Sequence, residues 1–218
     1  MQSYQDKSVD YFAHARTEIA AWLPECCPRV LELGCGAGAT LGWLKQTGRA
    51  SEAVGIEVAE SAALAAGAHA DQVWRLDIER DPWPALGPPF DCVLCLDVLE
   101  HLVNPWGVLD RLVRDQLAVG GTLLVSLPNV RHYSVLLPLV FGGRWDYAEA
   151  GLLDRTHLRF FTSRSASVLL QHPQLSPPAY HATGFAGWTA KNLFNRLSLG
   201  LLSEFVTYQH YLVARKLG

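Results

Sequence analysis

The sequence has a single methionine, only 18% charged residues and no apolar run long enough to cross a bilayer. Its longest such run, Tyr133 to Phe141, contains Pro138 and covers about half of what a spanning helix needs. The amino-terminal MQSYQDKSVD is polar and lacks the apolar core of a signal peptide, so no export signal is expected there. No basic cluster occurs either. The 18 Lys and Arg are scattered and the net charge is −3, which speaks against a nucleic-acid surface. Five cysteines leave an odd one, and no second Cys or His pair completes a zinc set around Cys92-x-x-Cys95. Residues three apart on a strand face opposite ways, so buried free thiols in a reducing, cytoplasmic setting are expected. Half of the 218 residues are hydrophobic, enough to build one α/β domain over 1–218, and no internal repeat interrupts it.

What is present begins with Val30 to Gly38, VLELGCGAG. Apolar residues around one acid run into three glycines at every second position. This pattern predicts a buried strand, a tight loop and a helix opening near Ala39. Glycines at Gly34, Gly36 and Gly38 remove β-carbons, so a ligand can lie against the backbone. Three further apolar runs close on acids: Ala53 to Ile56 on Glu57, Gln72 to Leu76 on Asp77, and Asp91 to Leu96 on Asp97. In a doubly wound parallel sheet the carboxyl ends of the strands form one rim, where ligands bind, so these acids would converge with Glu32 on one crevice. A strand-end acid can also be a plain helix cap, but four in this order favour a site.

The remaining elements follow from local signals. Apolar spacing over Tyr11 to Leu23 predicts a helix ended by Pro24. Gly48 caps a helix from Ala39, and Ala59 to Ala70 is helix-permissive. Asp81 to Phe90, rich in proline, reads as an irregular connection. Asn104-Pro105 starts a helix whose Leu109, Leu112, Val113 and Leu117 share a face, and Gly120-Gly121 turns into a strand over Thr122 to Leu127. Residues 130–161 show no dominant period and are expected to be a lid-like insertion over the crevice. Thr162 caps a helix from Ser163 to Gln171. Strands over Ala179 to Phe185 and Glu204 to Ala214 flank a helix over Thr189 to Leu202.

Across nearly its whole length the chain resembles the class I S-adenosylmethionine-dependent methyltransferases. That resemblance implies an α/β, Rossmann-like sheet of seven mostly parallel strands, ordered 3-2-1-4-5-7-6 with the last antiparallel. It also implies S-adenosyl-L-methionine as cofactor and S-adenosyl-L-homocysteine as product. Gly34, Cys35, Gly36 and Gly38 would pass under the methionine and ribose, supported by Glu32. Glu57 would take both ribose hydroxyls, Asp77 and the Ile78 amide would hold the adenine, and Asp97 would complete the cofactor site. FDCVLCLDVLEHL, Phe90 to Leu102, is similar to the fourth-strand motif of the branch that contains ubiquinone-type O-methyltransferases. Asn129 to Thr162, with GLLDRTHLRFFT, is similar to bacterial methyltransferases found beside cell-surface sugar genes.

Methyl transfer from a sulfonium is an in-line displacement, for which positioning alone supplies up to roughly 7–11 kcal/mol. A hydroxyl acceptor that must shed a proton can gain about 10²–10⁴-fold from a base. His101, just past the fourth strand, is the expected base, with a backbone-bonded structural histidine as the bland alternative. His157 competes for the role but would have to swing in with the lid. Tyr11, His132 and Arg155 are candidate acceptor-facing residues, although Tyr11 could pack, His132 could be a solvated loop residue, and Asp154, Arg155 and His157 could form an ion-paired hinge. No metal is expected: after the fifth strand Ser126-Leu127-Pro128-Asn129 lacks the second acid of a metal-dependent catechol site. The expected partner is a small-molecule or sugar- or lipid-linked acceptor, methylated at oxygen by a monomer or homodimer. Two rivals stand beside this reading. Gly34-x-Gly36-x-x-Ala39 also satisfies a loose dinucleotide fingerprint, for which Gly38, Glu32 and Asp77 are superfluous. A non-catalytic cofactor-binding partner subunit would be expected to have lost glycines or the ribose acid, and neither is lost.

Overall fold

The computed structural model describes residues 14–182 and 202–218. Seven strands form one sheet: β1 (Arg29–Leu33), β2 (Glu52–Glu57), β3 (Gln72–Arg75), β4 (Phe90–Leu96), β5 (Leu117–Pro128), β6 (Ala179–Ala182) and β7 (Gln209–Arg215). Their order is β3-β2-β1-β4-β5-β7-β6, with β7 antiparallel to both of its neighbours and the rest parallel. The order therefore reverses between β1 and β4, and the ligand crevice of such a sheet lies outside the strand ends at that point.

The strands sort by period two. Leu31, Val93 and Leu123 lie in one core, while Val30, Cys92, Leu94 and Leu124 lie in the other. The register pairs Leu31 with both Val54 and Val93, and Val93 with Leu123, so the central strands are covered on both faces. That explains their near-continuous apolar sequence. The helices include α1 (Ala39–Gln46), α2 (Glu60–Ala66), α3 (Pro105–Arg111) and α5 (Ser163–Leu169), the last two starting at the caps expected of Asn104 and Thr162. The Asn104 side chain accepts from Gly107 N at 3.1 Å, and Thr162 with Ser165 closes a full capping box.

Several elements depart from expectation. Within the described residues the helix expected from Tyr11 is a single 3₁₀ turn, Thr17–Ala21, because Arg16 leaves helical geometry to bond Thr40 Oγ1 through its amide. Strand β3 stops at Arg75, so Asp77 sits two residues beyond it. Leu117 is not on the helix face. The helix ends in a π turn, Leu112–Gln116, and Leu117 pairs with Phe90 before a bulge at Gly120, whose φ is 78°. Residues Ser203–Val206 form a short helix, α6, where a strand was expected. Asn129 Nδ2 donates to the carbonyls of Glu204 and Thr207 at 2.6 and 2.7 Å and holds that turn off the sheet. The helix expected over Thr189 to Leu202 lies outside the described residues, save Leu202.

Cys92 was expected to be a free thiol. It is bonded to Cys27 across a Cα separation of 5.8 Å, because β1 and β4 run side by side and Cys92 sits opposite Val30. Cys26, Cys35 and Cys95 carry free thiols. The aperiodic segment after β5 opens with helix α4 (Tyr133–Gly142), capped by His132. Its sequence is apolar on all sides, so no period marks it, and only Val135 is buried.

Candidate functional site

The loop after β1 turns by left-handed backbone at Gly34, Gly36 and Gly38, with φ of 60°, 54° and 79°. A β-carbon at Gly34 would collide with Val98, which follows β4, so this position must be glycine for β1 and β4 to meet. Cys35 N donates to Ile56 O at 3.1 Å, tying the loop to β2. Its thiol is pushed up by burial and by Glu32 and Glu57, and therefore stays protonated and packs.

Glu57, at the end of β2 and 1% exposed, holds the loop from the other side. Its Oε2 accepts from Gly36 N, and its Oε1 from Val58 N and Ala59 N, each at 2.9 Å. Burial raises its carboxyl above the usual range and the three amides oppose this. Glu32 on β1 is also buried, and its Oε2 has no hydrogen-bond partner among the described residues. Burial pushes its carboxyl up to about 8, with Glu57 adding to the rise and Arg16 and Thr40 working against it.

Asp97, next on the rim, is the sole non-glycine residue with positive φ among the described residues, at 57°. Such strain persists where neighbours over-determine the position. Ser126 Oγ donates to Asp97 Oδ1 at 3.1 Å, Gln209 Nε2 donates to the same oxygen, and Arg16 pairs with Oδ2. Arg16 also reaches Gln209 Oε1 at 3.0 Å and Tyr211 Oη at 2.5 Å. The sequence reading missed this arginine, whose signal was a lone cation in an otherwise apolar helical pattern. Asp77 caps its own turn, accepting from Glu79 N at 2.9 Å, beside the buried Ile78.

Past Asp97 the chain makes a 3₁₀ turn, Leu99–His101. The returning limb of the 130–161 segment is pinned to it: Leu158 N and Arg159 N both donate to Glu100 O, at 2.8 and 2.9 Å. His157 therefore already stands against His101, ring centroids 4.8 Å apart and edge to face, with no swing of a lid required. His101 Nδ1 lies 3.2 Å from Thr156 O, and His157 Nδ1 lies 3.1 Å from Leu152 O. His101 thus makes the backbone contact that its structural reading expected. Glu100, buried beneath the pair, was not anticipated, although its signal was the Glu-His dipeptide at the strand end. Burial and the nearby Asp97 push its carboxyl well above the usual range.

The acceptor-facing candidates are scattered. His132 is buried rather than solvated, with Nδ1 2.7 Å from Ser134 Oγ and its ring against Tyr133 and Tyr208. Arg155 is exposed and pairs with Glu149 at 2.5 Å, and Asp154 accepts from Thr156 N and Oγ1. Tyr11 lies outside the described residues.

The raised carboxyls carry a stability consequence. Folded Glu32 keeps its proton up to about pH 8, whereas the unfolded chain releases it near 4.5. Its contribution is full below that lower value and is lost as pH rises through the upper one. His210, pushed down to about 4 by burial, acts in the opposite sense but only below about 6.5. Between pH 6.5 and 8 the unfolding free energy in urea should therefore fall, by up to about 1.4 kcal/mol per pH unit for each such group. Glu32→Gln should flatten that slope. An equal slope in variant and wild type would overturn the assignment.

Residues 5–176 match the sequence profile of the family described as a methyltransferase domain. A ubiquinone biosynthesis O-methyltransferase from Dinoroseobacter shibae is 30% identical over 155 residues, covering 68% of this chain and 60% of its own length. The chain thus spans somewhat under two thirds of that relative. Among solved structures, a SAM-dependent methyltransferase from Archaeoglobus fulgidus superposes with a TM-score of 0.65 at 16% identity, covering 96% of this chain and 95% of its own. The magnesium protoporphyrin IX methyltransferase from Synechocystis PCC 6803, solved with bound SAH, gives 0.58 at 17% identity and covers 95% and 81%. At these identities the structural likeness speaks for the fold.

Proposed function

We propose that this chain, which belongs to the class I S-adenosylmethionine-dependent methyltransferases, transfers the methyl group to an oxygen of a small-molecule, sugar-borne or lipid-linked acceptor. The observation that carries the choice of oxygen is the His101–His157 pair at the end of β4, beside the strained Asp97. A hydroxyl has a proton to lose, and an imidazole pair at the rim is suited to take it. The name of the Dinoroseobacter relative, an O-methyltransferase, points the same way.

The residues present fit the cofactor. Glu32 Oε2 is a buried acceptor in want of a donor, and Glu57 brings a second buried carboxylate to the same loop. Together with Asp97 they offer carboxyl oxygens to the donors of the ligand, and a cation bound there would favour the ionised form of Glu32. Gly34, Cys35, Gly36 and Gly38 would underlie the methionine and ribose, Glu57 the ribose hydroxyls, and Asp77 with Ile78 the adenine. When bound, the cofactor supplies an electrophilic methyl group on a positively charged sulfur. This chain's residues hold that ligand, exclude water around it and manage the acceptor's proton.

The segment 130–161 would cover the acceptor. Helix α4 exposes Leu137, Leu139, Val140 and Phe141, the last 82% exposed, a surface suited to an amphipathic or lipid-linked acceptor. Gly143 and Gly151, both with positive φ, bracket the turn that follows α4. Limited proteolysis should cut first in this segment. S-adenosylhomocysteine with a panel of phenolic, sugar and prenyl-lipid hydroxyl compounds should slow the cut for one class, and that class should be methylated. Cutting elsewhere, with no protection by any compound, would sink the lid assignment.

A further inference from the structure

We infer that Glu100, His101 and His157 form a binding site for a divalent transition-metal ion of the zinc class. One ligand atom from each residue lies within 4.8 Å of the others. Around an ion at about 2.1 Å from each ligand the donors stand about 3.4 Å apart. Small inward side-chain rotations would therefore close the set.

Three independent features mark this cluster as a ligand set. Glu100 is fully buried, and neither of its carboxylate oxygens has a hydrogen-bond partner among the described residues. A carboxylate so placed needs a proton or a cation. Both imidazoles then set Nδ1 against a backbone carbonyl, of Thr156 and of Leu152. That arrangement keeps the proton on Nδ1 and makes Nε2 the lone-pair donor, as in most metal-ligating histidines. Finally, the ligands come from two segments clamped by the Glu100 carbonyl, which accepts from Leu158 N and Arg159 N, so the set is preorganised. Asp154, buried and fixed by Thr156, adds negative charge close by.

Two imidazoles and one carboxylate suit Zn²⁺, Co²⁺ or Mn²⁺ far better than Mg²⁺ or Ca²⁺, which ask for oxygen. Three protein ligands leave coordination positions open. An acceptor hydroxyl bound there would lose its proton to water more readily, so its oxygen could take the methyl carbon as the carbon–sulfur bond breaks. With the ion bound, both imidazoles are ligands, and the ion rather than an imidazole assists loss of the hydroxyl proton; this role rests on the oxygen-transfer reading, ion binding does not.

The test is cobalt titration of the full chain after EDTA dialysis. One saturable equivalent should produce visible d–d absorption that Zn²⁺ abolishes. His157→Gln and Glu100→Gln should weaken binding at least tenfold, while the thermal shift caused by S-adenosylhomocysteine reports that each variant is folded. Should both variants fail to fold, metal content of zinc-loaded wild type decides, with about one ion per chain expected. No cobalt spectrum and no retained zinc in the wild type, or equal binding by folded variants, overturns the site. Metal binding without transfer to any hydroxyl refutes the oxygen reading alone; chelator-resistant transfer by a metal-free chain refutes the ion's part in transfer and leaves the binding site to the cobalt titration.

Discussion

His101→Gln should lower methyl transfer to a hydroxyl acceptor by about 10²-fold or more and leave cofactor affinity in place. The substitution keeps size and a polar end, and the Nδ1 contact with Thr156 O can be replaced by the glutamine amide. What is lost is the imidazole at the end of β4, as base or as ligand to the ion inferred above, with His157 standing 4.8 Å away between centroids. The loss should fall on kcat with little change in KM for the cofactor, and the acidic limb of the pH–rate profile should disappear. Steady-state rates from pH 5.5 to 8.5 in both enzymes measure this. A variant with near-full turnover and an unchanged profile would mean that positioning alone carries the reaction.

The second large effect is on binding. Glu57→Ala should reduce affinity for S-adenosylhomocysteine at least tenfold by titration calorimetry. The carboxylate has about four acceptor sites, and three are filled by the amides of Gly36, Val58 and Ala59. Taking two ribose hydroxyls would therefore displace at least one amide, so ribose binding and loop geometry are coupled through this side chain. Truncation leaves both sets unpaired, at roughly 1–3 kcal/mol for each buried group lost. The variant should also melt at lower temperature without ligand. Affinity equal to wild type would remove Glu57 from the ribose site.

The rim of the sheet was readable from the sequence because it is assembled from local patterns. Each buried strand of a parallel sheet is an apolar run, each ends where glycine or an acid interrupts it, and every such end falls on the same rim. That logic puts Glu32, the glycine loop, Glu57, Asp77 and Asp97 on one rim. Caps behaved likewise: Asn104 and Thr162 start helices through bonds to residues three positions on. Helix α4 was invisible for the opposite reason. An element apolar on every side has no period, and Pro138 argues against a helix locally.

By itself the sequence determined the sheet, its rim and the acids upon it, since these depend on contacts between neighbours and on a repeated strand–helix grammar. Only the tertiary structure decided that Arg16 reaches Asp97 across 81 positions, that Cys27 meets Cys92, and that Glu100, His101 and His157 share one cluster. The physical reason is the same in all three. A pairing between distant segments leaves no periodicity behind; it is selected by the register of β1 against β4, and by a returning loop whose amides bond one backbone carbonyl, that of Glu100.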